Sequence, residues 1–191
     1  MATAINVHVR APNSIASMVL LNLCDQTMPW LDCTFIFKQM QDPEMIERLD
    51  YVAINGAAIG SLAQAKDKMP SIDRKLRAIV ELRVSQINGC VYCVDLHSKQ
   101  ARAAGETQQR LDCLPVWQEC PFFDESERAA FAWAEAVTLL PQSKAPVALF
   151  DALKLHFSDE QIVDLTMIIA QMNAWNRLAV SFGHLPDKRP D

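Results

Sequence analysis

A chain of 191 residues, half of them apolar, is long enough to bury one substantial core and falls in the range of one or two domains. Its 18 basic and 23 acidic residues leave a formal charge of −5 with no Lys/Arg run, which argues against a surface built to neutralise phosphates and so against nucleic acid as a partner. The apolar stretch Ile15 to Leu23 is too short to cross a bilayer and lacks the charged start and cleavage site of a signal, so no membrane segment and a cytoplasmic location are expected.

Residues 1–43 carry the weakest pattern. Val7 to Val9 and Thr34 to Phe37 read as short strands and Ile15 to Cys24 as a helix, in an N-terminal extension ahead of one helical domain at 44–184 and a tail at 185–191. Across the whole chain, only five glycines, ten prolines placed mainly at segment ends and no long alternating β-branched run predict an all-α fold. Ala57 to Lys68 reads as a helix closed by Met69-Pro70. Asp73 caps a helix from Arg74 to Ile87, with Leu76, Ile79, Val80 and Val84 on one stripe and Asn88-Gly89 as its stop. The next helix runs from about Cys90 to Gly105, a residue suited to a left-handed C-terminal cap. A short turn over Leu111 to Trp117 follows. Asp124 with Glu127 makes a capping box for a helix through Leu140, ended by Pro141. Pro146 to His156 forms a shorter helix, and Ser158 with Gln161 repeats the box ahead of a long helix to Phe182, with Gly183 beyond it.

Six cysteines could make three bridges, yet a core of this size needs no staples, so a reduced protein with one special pair is expected. Cys90 and Cys93, three apart in the first turn of a helix, lie close enough to join, and the unpaired N–H groups there favour a thiolate, first of all on Cys90. His97 follows Cys93 by four residues and Cys90 by seven, so all three share a face, and an imidazole stands within reach of a thiol. Glu81 shares a face of the preceding helix with Ser85 and Asn88. The Asn-Gly break is what lets that face meet the cysteines, where a carboxylate would accept a proton or orient His97.

Other readings of these residues stand beside this one. Cys90, Cys93 and His97 supply three ligands of a zinc site, with His156 or His184 as a fourth; no second C-x-x-C accompanies them, and redox chemistry is preferred with no metal. Cys113 and Cys120 read as buried core thiols rather than a second pair, as do Cys24 and Cys33. Asn173, Asn176 and Arg177 interrupt an apolar helix and either satisfy a buried partner, with Glu81 facing Arg177 one such pair, or line a subunit contact.

The segments Leu82 to Cys93 with His97, Ala101 to Thr107, Pro121 to Phe123 and Asn173 to Leu178 resemble the carboxymuconolactone decarboxylase/alkylhydroperoxidase D-like family in its redox-active branch, over about Glu44 to Phe182. The resemblance implies an all-α helical bundle, a homo-oligomer (trimer or hexamer) and reduction of hydroperoxides without a bound cofactor, at the expense of an external thiol or dithiol. It also implies that Cys93 attacks the peroxide, that Cys90 closes the disulfide, and that His97 and Glu81 relay the proton; Tyr92, Ser85, Asn176 and Arg177 are expected beside them as supporting residues. Two positions depart from the pattern: Tyr92 stands where the alkylhydroperoxidases carry histidine, and their acid often lies one turn earlier, at Ala78. The rivals are the family's lactone decarboxylase activity and a redox-sensing scaffold without catalysis.

Overall fold

The structure, a computed structural model, describes residues 47–188. The extension over residues 1–43, with its expected strands and helix and with Cys24 and Cys33, lies outside them. Every regular element among the described residues is helical. Helix α1, Tyr51–Ile54, is capped by Asp50, and α2, Gly56–Gln64, by Asn55; α2 tightens into a 3-10 turn at Ala65–Lys68 before Pro70. The Asp73 carboxylate accepts from the N–H groups of Lys75 and Leu76 at 2.9 and 3.1 Å and so starts α3, Arg74–Ile87.

Asn88 ends α3, and Gly89, at φ +65°, makes the left-handed turn into α4, Val91–Ala103. Gly105 takes φ +94° beyond the end of α4. The segment expected as a plain turn is instead a short helix, α5, Gln108–Cys113, capped by Thr107, and a 3-10 turn at Leu114–Val116. Both capping boxes close as pairs of reciprocal bonds, Asp124 with Glu127 ahead of α6, Glu125–Thr138, and Ser158 with Gln161 ahead of α9, Asp159–Phe182. Pro141 does not simply terminate α6. It sits in the first turn of a four-residue helix, α7, Leu140–Ser143, where its missing N–H has no partner to lose. Helix α8 spans Val147–Lys154.

Helix α3 lies at the centre, packed against α4, α6 and α9. Its Ile79, Val80, Leu82 and Val84 meet Phe131 and Ala134 of α6 and Leu165, Ile168 and Ile169 of α9 in one continuous core. Below α3, buried Asp164 of α9 accepts from both the N–H and the hydroxyl of Ser71, at 3.1 and 2.7 Å, and fixes the loop that leads into α3. Helices α1 and α2 contribute no buried residue. Polar tethers hold them: Arg48 donates its backbone N–H to Phe182 O at 2.7 Å and Nη1 to Ser181 O at 3.0 Å, and Gln171 of α9 donates to Leu62 O. No helix among the described residues is long and apolar enough to cross a membrane.

Leu165 is fully buried between α3 and α6, so Leu165→Ala is expected to cost about 3 kcal/mol of folding free energy. Loss of the Ser158 cap in Ser158→Ala should cost about 1 kcal/mol. Urea unfolding of the two variants measures both, and equal losses would show that the α9 core contact is no stronger than its cap.

Candidate active site

Cys90 is the N-cap residue of α4: its backbone is extended, and its Sγ accepts the N–H of Cys93 at 3.3 Å. The left-handed turn at Gly89 delivers it there, with Cys90 N–H bonded to Ser85 O at 3.1 Å. The two Cα atoms stand 5.3 Å apart, and the sulfurs are joined as a disulfide. Both cysteines are almost fully buried, yet they differ in what they face. Cys93 lines a cavity of about 330 Å³, whereas Cys90 is behind it.

His97, one turn beyond Cys93 on α4, lines the same cavity. Its Nδ1 lies 3.3 Å from Oε2 of Glu81 on α3, within ion-pair range but without the alignment of a hydrogen bond. The other carboxylate oxygen, Oε1, accepts Nε–H of Arg77 at 2.9 Å. Burial pushes the Glu81 carboxyl up, but the close His97 ring and the bond and charge of Arg77 outweigh burial and hold it below its ordinary value of 4.5. A guanidinium, a carboxylate and an imidazole therefore run in line toward the face of α4 that carries Cys93.

Aromatic and amide side chains form the rest of the cavity wall. Tyr92, between the cysteines, faces His184, whose ring meets it edge-on at 4.2 Å between centroids, and Tyr51 and Trp175 complete the aromatic side. Beneath the α3–α4 turn runs a polar network. Ser85 Oγ donates to Glu81 O at 2.8 Å and accepts Asn176 Nδ2 at 3.3 Å, while Asn88 Nδ2 donates to the Oδ1 atoms of Asn173 and Asn176, both at 2.9 Å. Asn176 is 1 % exposed, so these bonds replace water that cannot reach it.

The structure thus brings Cys90, Cys93, His97, Glu81, Tyr92, Ser85 and Asn176 into one neighbourhood. It does not bring Arg177 there. The expected Glu81–Arg177 pair is absent: Glu81 is satisfied by Arg77 one turn earlier on its own helix, and the exposed Arg177 turns back to donate to Asn173 O and Oδ1 at 2.8 and 3.0 Å. Arg77 is the charged partner that sequence reasoning missed, although its spacing of four before Glu81 was a visible signal. His184, considered only as a metal ligand, lines the cavity instead, and Gln171 was not singled out at all. Cys113 is half-buried against the core and Cys120 is buried, both as free thiols. Among the described residues, no group of three or more His, Cys, Asp or Glu side chains is placed to hold a metal ion.

Comparison with known proteins places this geometry in context. Residues 56–136 match the model of the Carboxymuconolactone decarboxylase family. The uncharacterised protein YdfG of Bacillus subtilis (strain 168) is 40% identical over 142 residues, 73% of this chain and 97% of the relative. The uncharacterised YnjA of Escherichia coli (strain K12) is 28% identical over 129 residues, 64% of this chain and 70% of the relative. Among solved structures, a protein of unknown function from Agrobacterium tumefaciens, proposed to be the antioxidant defence protein AhpD, is 36% identical with a TM-score of 0.72 over 75% of this chain and 100% of that one. A peroxidase-related protein from Ralstonia eutropha, an alkylhydroperoxidase AhpD core, is 20% identical with a TM-score of 0.62 over 91% and 86% of the two chains, and shares the fold.

Because folding lowers the Glu81 carboxyl below 4.5, its ionised form stabilises the folded state above that pH, and the contribution is lost as pH falls through the lowered value. The stability gap between wild type and Glu81→Gln is therefore expected to be widest near neutral pH and to narrow as the pH falls below about 4.5. Urea midpoints measured across that range check it, and a gap independent of pH would contradict the ionised assignment.

Proposed function

We propose, from the premise that the chain belongs to the carboxymuconolactone decarboxylase family, that it is a thiol-dependent peroxidase whose Cys93 thiolate attacks hydroperoxides and whose Cys90 closes the resulting disulfide. The observation that carries this reading is the pairing of a joined C-x-x-C at a helix N-terminus with a cavity that reaches Cys93 and His97 together. In the reduced protein, His97 beside Glu81 takes the Cys93 proton and stabilises the thiolate as an imidazolium. The thiolate attacks the O–O bond, which breaks; Cys93 becomes the sulfenic acid, and the departing alkoxide takes the proton from His97 and leaves as the alcohol. The Cys90 thiol then attacks the sulfenic sulfur, expels water and forms the disulfide. Two equivalents of an external thiol, or one of a dithiol, reduce the pair and leave as a disulfide.

The cavity position of Cys93 favours it over Cys90 as the attacking sulfur, against the helix-dipole expectation. Cys90 is already engaged as the cap of α4, where its sulfur accepts an N–H bond, and it has no face on the cavity. Tyr92, in the place between the cysteines, packs on His184 and shapes the cavity mouth beside the attacking sulfur.

The test begins with reduced protein and one equivalent of cumene hydroperoxide, followed by free-thiol titration and then turnover with dithiothreitol. The expected result is loss of two thiols per chain in wild type, sulfenic acid trapped by dimedone in Cys90→Ser, and no turnover in Cys93→Ser. His97→Ala should lower turnover by about 100- to 10,000-fold, the usual weight of an acid–base group. Thiol loss without turnover would make the pair a sensor, and no loss would remove redox chemistry from the site altogether.

A further inference from the structure

Arg77 is a guanidinium with 8% exposure, and it bonds to three separate segments at once. Its Nε donates to Glu81 on α3, its Nη1 to Lys66 O in the 3-10 turn at 3.1 Å, and its Nη2 to Gln171 Oε1 on α9 at 3.5 Å. Gln171 passes the link on by donating to Leu62 O of α2. These are fork contacts that only a planar, five-donor side chain can make together. They fasten one wall of the cavity to the carboxylate that stands behind His97.

We propose that Arg77 is a positioning residue for the thiol relay: by bridging α3, the 3-10 turn and α9, it aims Glu81 at His97 and so sets the pH at which Cys93 becomes nucleophilic. The proposal rests on the relay reading above, and it adds a residue that touches none of the reacting atoms. Its logic is electrostatic and geometric together. Without the fork, Glu81 is free to turn away or to take up a proton, the imidazolium loses its partner, and the thiolate is less favoured.

Other charges near this line belong to every element around it. On α4, Cys93, Tyr92 and His97 face the cavity, and Lys66 of the 3-10 turn, Tyr51 of α1 and His184 after α9 border it too. On the far side of Arg77 and Glu81, Asp67, Asp73 and Arg74 line a second hollow. Of the charged groups among the described residues, Arg77 alone is in hydrogen-bond contact with the Glu81 carboxylate, which is why its removal is the informative change.

The experiment follows iodoacetamide alkylation of the reduced protein as a function of pH in the Cys90→Ser background, where Cys93 is the cavity-facing thiol, with mass spectrometry to locate the label. Arg77→Gln is expected to raise the midpoint of Cys93 alkylation by about one pH unit, a tenfold loss of reactivity at a fixed pH on the rising limb. Arg77→Lys keeps the charge but loses the fork, and should raise the midpoint by about half a unit, a threefold loss at fixed pH. A merely structural role would lower the melting temperature and leave the midpoint in place. If Arg77→Gln does not fold, Arg77→Lys decides alone. A midpoint within about 0.2 unit of wild type in each folded variant overturns the proposal. Failure of the wild type to consume hydroperoxide would sink the peroxidase reading instead, and the alkylation midpoint reports on Arg77 in either case.

Discussion

Three ionisable side chains, Arg77, Glu81 and His97, lie nearly dry between α3 and α4, each less than a tenth exposed. Moving such groups out of water costs several kcal/mol apiece unless each finds an opposite charge or a hydrogen bond, and the cost of leaving any one unpaired exceeds what the pair itself adds. That constraint organises the rest. It requires α3 and α4 to approach with these faces matched, so the turn between them must be sharp, and Gly89 supplies it. It requires the guanidinium to have partners for all its arms, which draws the 3-10 turn and α9 to the same place.

Much of this frame was legible in the chain itself because its signals are local. The Asp73 cap, the two capping boxes and the glycine turns at Gly89 and Gly183 each depend on side chains within four residues of the backbone they satisfy. The stripe from Leu76 to Val84 is buried as its spacing required. What could not be read was partner choice across space. Arg77, four residues before Glu81 on its own helix, carried a local signal, whereas whether Arg177, far along the chain, also reaches Glu81 is decided only by the rotation of α9, which turns Arg177 outward. Pro141 misleads for a related reason, since a proline that breaks a helix interior is equally at home in a first turn. Helix α5 is six residues long, too short for periodicity to reveal.

The similarities to known proteins fix the family and the fold. Cys93 and His97 share the cavity with Tyr92, His184, Tyr51 and Trp175, an aromatic surround with few formal charges. Among those rings His184 brings a second imidazole into the same space, edge-on to Tyr92. The asparagine network under the turn has a different task. Asn88 and Asn176 hold the end of α3 and α9 in register through bonds that are sensitive to angle.

The disulfide itself joins residues only three apart, and at that separation its effect on the unfolded chain is small. Cross-linking so short a loop withdraws little disorder from the denatured ensemble, about 2 kcal/mol on the chain-entropy account against about 3 for a fifteen-residue loop. Opening the pair would therefore withdraw about 2 kcal/mol on that account, about two-thirds of what a fifteen-residue loop supplies.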